Sequence, residues 1–215
     1  MKIGVFDSGV GGLSVANAIE KALPEHIVLF KNDVEHMPYG VRTPEQILGL
    51  VTPILQELVD EGCQAIVVAC NTVSTTLIKK LRELFSVPLI AIEPMIKPAA
   101  ALTQAGKIIV CATPTTLASA RYAELKASYA PGIVVIEPDC SDWALMIQDE
   151  QINETKVAED IQSGLKEGAD VIVLACTHYH WIEEQIRELA AGRAQVLQPE
   201  SPIIAELKRV LVRLQ

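Results

Sequence analysis

Two stretches decide the fold, GCQAIVVACNT at 62–72 and GADVIVLACTH at 168–178, because they are two copies of one pattern. In each copy a short apolar run leads into a cysteine and then into residues that form hydrogen bonds. Such a run predicts a strand that is buried on both faces, as in parallel sheets. Ligands bind at the carboxyl ends of strands in open parallel sheets. Cys70 and Cys176 therefore stand where a site is expected.

The duplication extends beyond these two stretches. KIGVFDSGVGGLSV from Lys2 is similar in outline to KIIVCATPTTLASA from Lys107, at nearly the same separation as the two cysteines. A repeat of this length indicates two copies of one supersecondary unit, since a solenoid needs three or more shorter repeats. If the two halves face each other across a cleft, both cysteines can point into it.

Apolar runs alternate with helical patterns in each half, which predicts parallel α/β sheets. The predicted strands lie near residues 2–6, 27–31, 65–69, 88–92, 107–111, 133–136, 171–175 and 194–197. The predicted helices lie near residues 11–23, 44–61, 73–85, 115–128, 153–167 and 181–192, with a last one from about 201.

We expect two α/β domains related by a pseudo-twofold axis, with an active site in the cleft between them. The first domain comprises residues 1–97 and 199–215, and the second comprises residues 98–198. The segment EPMIKP is the predicted crossing between the halves, because Pro94 and Pro98 interrupt both helix and strand.

Composition excludes several classes of protein. Half of the 215 residues are hydrophobic and 21% are charged, which is typical of a globular chain. The net charge of −9 argues against a nucleic-acid partner. The absence of a long apolar run or signal peptide leads us to expect a cytoplasmic protein without a membrane partner. The five cysteines include no C-x-x-C pair and are interpreted as free thiols.

Two thiols in one cleft suggest acid/base catalysis. If a substrate carbon lies between them, one thiolate removes a proton from one face while the opposite thiol delivers a proton to the other. The start of a helix after each strand favours the thiolate form. The competing interpretation is that both cysteines only pack in the core, as free cysteines often do. We assign that structural role to Cys63, Cys111 and Cys140.

The glycine-rich start, FDSGVGGLS, has a competing interpretation as a dinucleotide fingerprint, with Asp33 at the end of the second strand. However, the third glycine of that motif would fall at Ser14, and Asp7 would point at the pyrophosphate. Asp7 is better suited to a ligand ammonium group or to a catalytic proton. A tight strand-to-helix turn without any ligand remains open as a third interpretation.

The motifs FDSGVGGLSV, MPYG, VVACNT, AIEP and LACTHY, in this order, resemble those of the glutamate racemases of the aspartate/glutamate racemase superfamily. The resemblance implies two similar α/β domains, no cofactor or metal, an amino-acid substrate, and D-glutamate production for peptidoglycan in the bacterial cytoplasm. It also makes a homodimer possible. It implies that Cys70 and Cys176 are the acid/base thiols and that Asp7 and His178 assist them. The residues implied to surround the substrate are Ser8, Pro38, Tyr39, Gly40, Asn71, Thr72, Thr113, Thr116 and Thr177.

Some positions depart from that family pattern. His36 and Met37 stand where the family has Arg and Phe, His180 replaces a common Pro, and residues 140–145 differ from the family stretch. An aspartate racemase, a racemase of another amino acid, or a catalytically idle binding protein therefore stays open. Taken alone, His178 could be a surface histidine, and Thr113 with Thr116 could simply cap a helix.

Overall fold

A computed structural model describes residues 1–214. The strands are β1 (Lys2–Asp7), β2 (Ile27–Asn32), β3 (Ala65–Val68), β4 (Leu89–Ala91), β5 (Lys107–Ala112), β6 (Val134–Ile136), β7 (Val171–Ala175) and β8 (Gln195–Leu197). The helices are α1 (Leu13–Ala22), α2 (Pro44–Asp60), α3 (Asn71–Leu84), α4 (Ile96–Leu102), α5 (Pro114–Leu117), α6 (Ala120–Tyr129), α7 (Trp143–Gln148), α8 (Glu154–Lys166), α9 (Glu183–Ala190) and α10 (Glu200–Arg213).

The chain forms two compact units. The first consists of Met1–Glu93 together with the segment that starts at Pro199, and the second is Pro94–Gln198. Each unit contains a four-stranded sheet in which every pairing is parallel, ordered β2-β1-β3-β4 in the first and β6-β5-β7-β8 in the second. These sheets confirm the predicted fold class, whereas the division into folding domains at residues 97 and 198 stays a prediction.

Helices cover both faces of the first sheet. Ile3 and Val5 of β1 pack with α1 and α10 on one face, while Phe6 packs with α2 and α3 on the other. In the second unit α4 and α6 cover the face of β7 that carries Val173, and α7, α8 and α9 cover the opposite face. Burial on both sides explains why the central strands read as continuous apolar runs rather than as alternating patterns.

The longest helix within the described residues is α2, with 17 residues. Thr43 and Gln46 form a capping box at its start, because each side chain accepts a hydrogen bond from the other residue's backbone N–H. Pro44 occupies the first helical position, where its missing N–H has no intrahelical partner to lose. Throughout residues 1–214, no helix combines the length and apolar character that crossing a membrane requires.

The predicted crossing at EPMIKP is wrong in one respect, because helix α4 begins inside it at Ile96. Pro98 is the third residue of this helix, in a first turn whose N–H groups have no helical acceptor, so the proline does not break the helix. Ile96 and Ala99 pack with Ile108 and Val110 of β5, which stabilises α4 within the second unit.

Two other helical features also differ from the sequence prediction. The single helix predicted at 115–128 is divided into α5 and α6, because the Ser119 side chain accepts a hydrogen bond from Tyr122 N and starts a new helix. Helix α7 was not predicted. It is held in place by Trp143, which is fully buried and packs edge-on against Tyr179 with ring centroids 5.2 Å apart.

Candidate active site

The first candidate thiol, Cys70, lies between β3 and α3 and is 5% exposed. Its strand neighbours β1, and the connections that leave these two strands run in opposite directions along the sheet. A crevice opens at such a point at the carboxyl ends of the strands. Asp7 and Ser8 at the end of β1 share this position, and Ser8 Oγ is 3.4 Å from Cys70 Sγ.

Asp7 is fully buried, and its Oδ2 accepts a hydrogen bond of 2.7 Å from the backbone N–H of Gly12. The glycine-rich loop therefore directs an amide at the carboxylate of its own strand. In a dinucleotide site that loop presents its amides to a pyrophosphate. The arrangement favours the interpretation of Asp7 as a functional acid over the dinucleotide fingerprint.

Burial, and secondly the negative charge of Asp7, raise the pKa of the Cys70 thiol to about 11. Hydrogen bonds from Ser8 and from the backbone amides of Val73 and Thr72 act in the opposite direction. The expectation that the helix start would favour the thiolate is therefore wrong for Cys70, because desolvation outweighs the helix amides. At neutral pH Cys70 holds its proton and can act as an acid.

Tyr39 is buried beside this thiol, and its hydroxyl donates a 2.6 Å hydrogen bond to Asp33 Oδ2. His36 Nδ1 lies 2.7 Å from the other oxygen of the same carboxylate. Burial and then Asp33 hold the pKa of Tyr39 well above its usual range, so the phenol stays neutral. Pro38 and Gly40 flank Tyr39 and are partly buried. Sequence reasoning assigned Asp33 only to a nucleotide site and missed its contact with Tyr39.

Asn71 is the first residue of α3 and is 3% exposed. Neither its Nδ2 nor its Oδ1 has a hydrogen-bond partner among residues 1–214. A buried amide left in this state costs about 1–3 kcal/mol per unsatisfied group, so such a residue in a native structure requires an explanation. Thr72 follows it in the same buried turn. Asn71 can donate to one ligand atom and accept from another.

The second candidate thiol, Cys176, follows β7, is 8% exposed, and precedes a 3₁₀ helix at Thr177–Ile182. His178 Nδ1 is 4.0 Å from Cys176 Sγ, and His178 Nε2 is 3.1 Å from Gln148 Oε1. An amide oxygen only accepts, so Nε2 donates to Gln148 and Nδ1 is the ring nitrogen that faces the thiol. His178 is 3% exposed, which rules out the surface histidine.

Gln148 was not among the predicted site residues. It is the last residue of α7, a helix that begins within residues 140–145, the stretch that differs from the family pattern. Tyr179 donates a 2.9 Å hydrogen bond to the backbone oxygen of Cys140 and so fastens this stretch to the 3₁₀ helix. The departures at 140–145 therefore lead into the helix that carries Gln148, the hydrogen-bond partner of His178.

Thr113 and Thr116 are buried at the start of α5, where Thr113 Oγ1 donates to Thr116 Oγ1 at 3.0 Å and accepts from Thr116 N at 3.4 Å. Thr113 therefore has the capping role that the sequence left open, and its contact with a substrate stays a prediction. Thr177 is buried next to Cys176. His180 remains neutral at pH 7, because burial and then His178 lower its pKa to about 4.

Each unit thus places a thiol at the carboxyl end of a central strand, with groups nearby that can take up or release a proton. This chemistry is that of enzymes that move a proton at carbon. The family model for Asp/Glu/hydantoin racemases matches residues 3–204. A glutamate racemase from Ralstonia pickettii is 37% identical over 213 residues, covering 97% of this chain and 76% of the relative.

Solved structures agree with this comparison. Escherichia coli glutamate racemase, in complex with L-glutamate and the activator UDP-MurNAc-ala, is 28% identical with a TM-score of 0.90, over 98% of this chain and 82% of that one. Francisella tularensis glutamate racemase, in complex with D-glutamate, is 26% identical with a TM-score of 0.83, over 99% and 81% of the two chains. The chain belongs to the Asp/Glu/hydantoin racemase family and is an amino-acid racemase.

The pH dependence of Cys70 tests the electrostatics of the first thiol. Methyl methanethiosulfonate reacts with the thiolate, so the labelling rate of the Cys70 peptide, followed by mass spectrometry, should keep rising with pH beyond the range of an ordinary cysteine. In Asp7→Asn the curve should level off at lower pH, because a neighbouring negative charge that disfavours the thiolate is removed. Identical curves for the two proteins would contradict the assigned role of Asp7.

Proposed function

We propose that this chain interconverts L- and D-glutamate without a cofactor, using Cys70 and Cys176 as the two acid/base groups. The observation that carries the proposal is the equivalent placement of the two thiols, each after the third strand of a sheet with the same order. The choice of glutamate is supported by the similarity to glutamate racemases, including those bound to L- and D-glutamate.

The proposed reaction moves one proton in each of two half-steps. One thiolate takes the proton from the α-carbon, so that a C–H bond breaks, an S–H bond forms and the electron pair stays on carbon as a carbanion. The other thiol then gives its proton to the opposite face of that carbon, which inverts the configuration. After one turnover the two thiols have exchanged protonation states, so the enzyme is ready for the reverse direction.

The surroundings of the two thiols support different starting states. Cys70 holds its proton because burial and Asp7 disfavour its thiolate. Cys176 faces Nδ1 of His178, which in the neutral imidazole with its proton on Nε2 accepts the thiol proton and leaves a thiolate. On this basis Cys176 removes the proton from L-glutamate and Cys70 delivers one, in the direction that the family resemblance implies.

We further propose that the amide of Asn71 binds the amino acid, since a ligand would supply the hydrogen bonds that its buried atoms lack. The hydroxyls of Ser8, Thr72, Thr113, Thr116 and Thr177 and the turn Pro38–Gly40 are proposed to complete the binding site. Neutral groups can hold the substrate carboxylates without competing for protons. The enzyme is proposed to supply D-glutamate for peptidoglycan in the bacterial cytoplasm, as a possible homodimer.

Circular dichroism of L-glutamate incubated with the purified protein, with no cofactor added, tests the proposal directly. The signal should decay to zero, whereas Cys70→Ser and Cys176→Ser should leave it almost unchanged, because a hydroxyl is far less acidic than a thiol and can scarcely serve as the base. If the signal of L-aspartate decays and that of L-glutamate does not, the substrate is aspartate and not glutamate. Calorimetric binding of glutamate without decay would instead identify a sensor.

A substrate with a leaving group at the β-carbon separates the two thiols. Removal of the α-proton then expels the leaving group and forms a C=C bond, so elimination needs only the first proton transfer. Cys70→Ser should catalyse elimination from the L-enantiomer but not from the D-enantiomer. Cys176→Ser should catalyse elimination from the D-enantiomer but not from the L-enantiomer. Release of the leaving group from the same enantiomer by both mutants would mean that one base serves both faces.

Asn71→Leu should separate binding from stability. Replacing an unsatisfied buried amide by an apolar side chain of similar size is expected to leave the free energy of unfolding equal or higher, while KM for glutamate rises at least tenfold, about 1.4 kcal/mol. Asn153→Ala is the matched control, because it removes the cap of α8 and should lower stability by about 1 kcal/mol with KM unchanged. An unchanged KM in Asn71→Leu would exclude the amide from the substrate site.

A further inference from the structure

Gly12 stands where the glycine-rich loop meets α1, and its backbone is helical, with φ of −65° and ψ of −10°. Every residue type adopts this conformation, so backbone freedom does not explain a glycine here. The surroundings explain the glycine, because a Cβ added at Gly12 would lie 2.4 Å from Asp7 Cβ, 3.0 Å from Asp7 Cγ and 3.2 Å from Asp7 Oδ2. A contact of 2.4 Å between carbon atoms forces one of the two residues to move.

We propose that Gly12 is a positioning residue for Asp7: its missing side chain leaves the space that the Asp7 side chain occupies from its Cβ outward, and its N–H holds the Asp7 carboxylate beside Cys70. The kinetic part of this inference rests on the proposed function, since it assumes that Asp7 assists Cys70 in proton transfer. The structural part stands on the space and the hydrogen bond alone.

The backbones on both sides of this contact are fixed. Asp7 is the last residue of β1 and pairs in register with Asn32 of β2. Gly12 leads directly into α1, whose residues Val15, Ala16 and Ile19 are buried against the sheet. The position of Asp7 Cβ is set by its backbone, so rotation of the Asp7 side chain cannot relieve the 2.4 Å contact. An added methyl group therefore forces the loop at Gly12 or the end of β1 to shift, at a cost in core packing, and the Gly12 N–H moves away from the Asp7 carboxylate that it holds.

Two other glycines of the first unit, Gly4 and Gly49, have different surroundings and make no contact with Asp7 through an added Cβ. A Cβ at Gly4, in the same strand as Asp7, would meet Ile66 and Leu58 at 3.1 Å and Cys63 Sγ at 3.3 Å, all of them side-chain atoms of the core. A Cβ at Gly49, in α2, would meet nothing within 4 Å. Gly4→Ala and Gly49→Ala therefore serve as controls for general strain and for the gain of a methyl group.

The test compares wild type, Asp7→Asn, Gly12→Ala and the double mutant, with two measurements on each. The first is the pH profile of Cys70 labelling by methyl methanethiosulfonate. The second is the racemisation rate of glutamate. Labelling of Cys70 does not depend on turnover. If the wild type fails to racemise glutamate, the proposed function is wrong, and the pH profile of labelling still tests whether Gly12 positions Asp7.

Gly12→Ala should shift the pH profile of Cys70 downward, as Asp7→Asn does, because the negative charge near the thiol is displaced in the first protein and removed in the second. Racemisation should fall about 100-fold, the size expected for a displaced catalytic group. Gly12→Ala should add no further change to either measurement in the Asp7→Asn background, since the two residues act through one carboxylate. Gly4→Ala and Gly49→Ala should retain the wild-type profile.

A wild-type profile in Gly12→Ala would overturn the inference. A uniform rise in labelling at every pH that persists in the Asp7→Asn background would also overturn it, because that result indicates a loosened loop. If Gly12→Ala does not fold, Asp7→Gly/Gly12→Ala decides the matter. Removal of the Asp7 Cβ should restore folding, and failure to do so would show that this contact is not the reason for the glycine.

Discussion

Parallel pairing between the two central strands of each sheet is the constraint on which the rest of the structure depends. In the first unit Phe6 of β1 is in register with Val68 of β3, so the residues that follow both strands emerge at one edge. Ser8 and Cys70 are 62 positions apart in the chain and are brought into contact there. In the second unit Ala112 of β5 pairs with Ala175 of β7, which brings Thr113 and Cys176 to the corresponding edge.

The two units share a topology but surround their thiols with opposite chemistry. Cys70 has a buried carboxylate nearby, which disfavours its thiolate, and Cys176 has the imidazole of His178 nearby, with Nδ1 4.0 Å from its Sγ. The duplicated topology places each thiol at the end of a central strand, and the residues beside the thiols, Asp7 and His178, make their surroundings different. The proposed difference in starting protonation state between the two thiols would thus come from single residues and not from the topology that the two units share.

The sequence predicted the parts of the fold and the candidate site that depend on local pattern. All eight strands appear within two residues of their predicted bounds. The central strands are buried on both faces and leave continuous apolar runs in the sequence, which makes them easy to recognise. Gln148 was missed because its contact arises from tertiary packing, 30 positions from His178. The contact of Asp33 with Tyr39 spans only six positions, and it was missed because Asp33 was considered only as part of a nucleotide site. The pKa direction of Cys70 was misjudged because a sequence gives no measure of desolvation. Helix α4 was missed because Pro98 was interpreted as an interruption of helix and strand, although a proline in the first turn does not disrupt helical hydrogen bonds.

The first unit is discontinuous, since α10 packs on the β1 face that carries Ile3 and Val5, more than a hundred residues after β4. During synthesis on a ribosome the strands of this sheet emerge before the second unit, but α10, which covers one of its faces together with α1, emerges after the second unit. Until then the apolar face that receives Ile203, Leu207 and Leu211 stays open to solvent or to a chaperone. The second unit is continuous in sequence, so it can complete its core before α10 of the first unit has been synthesised.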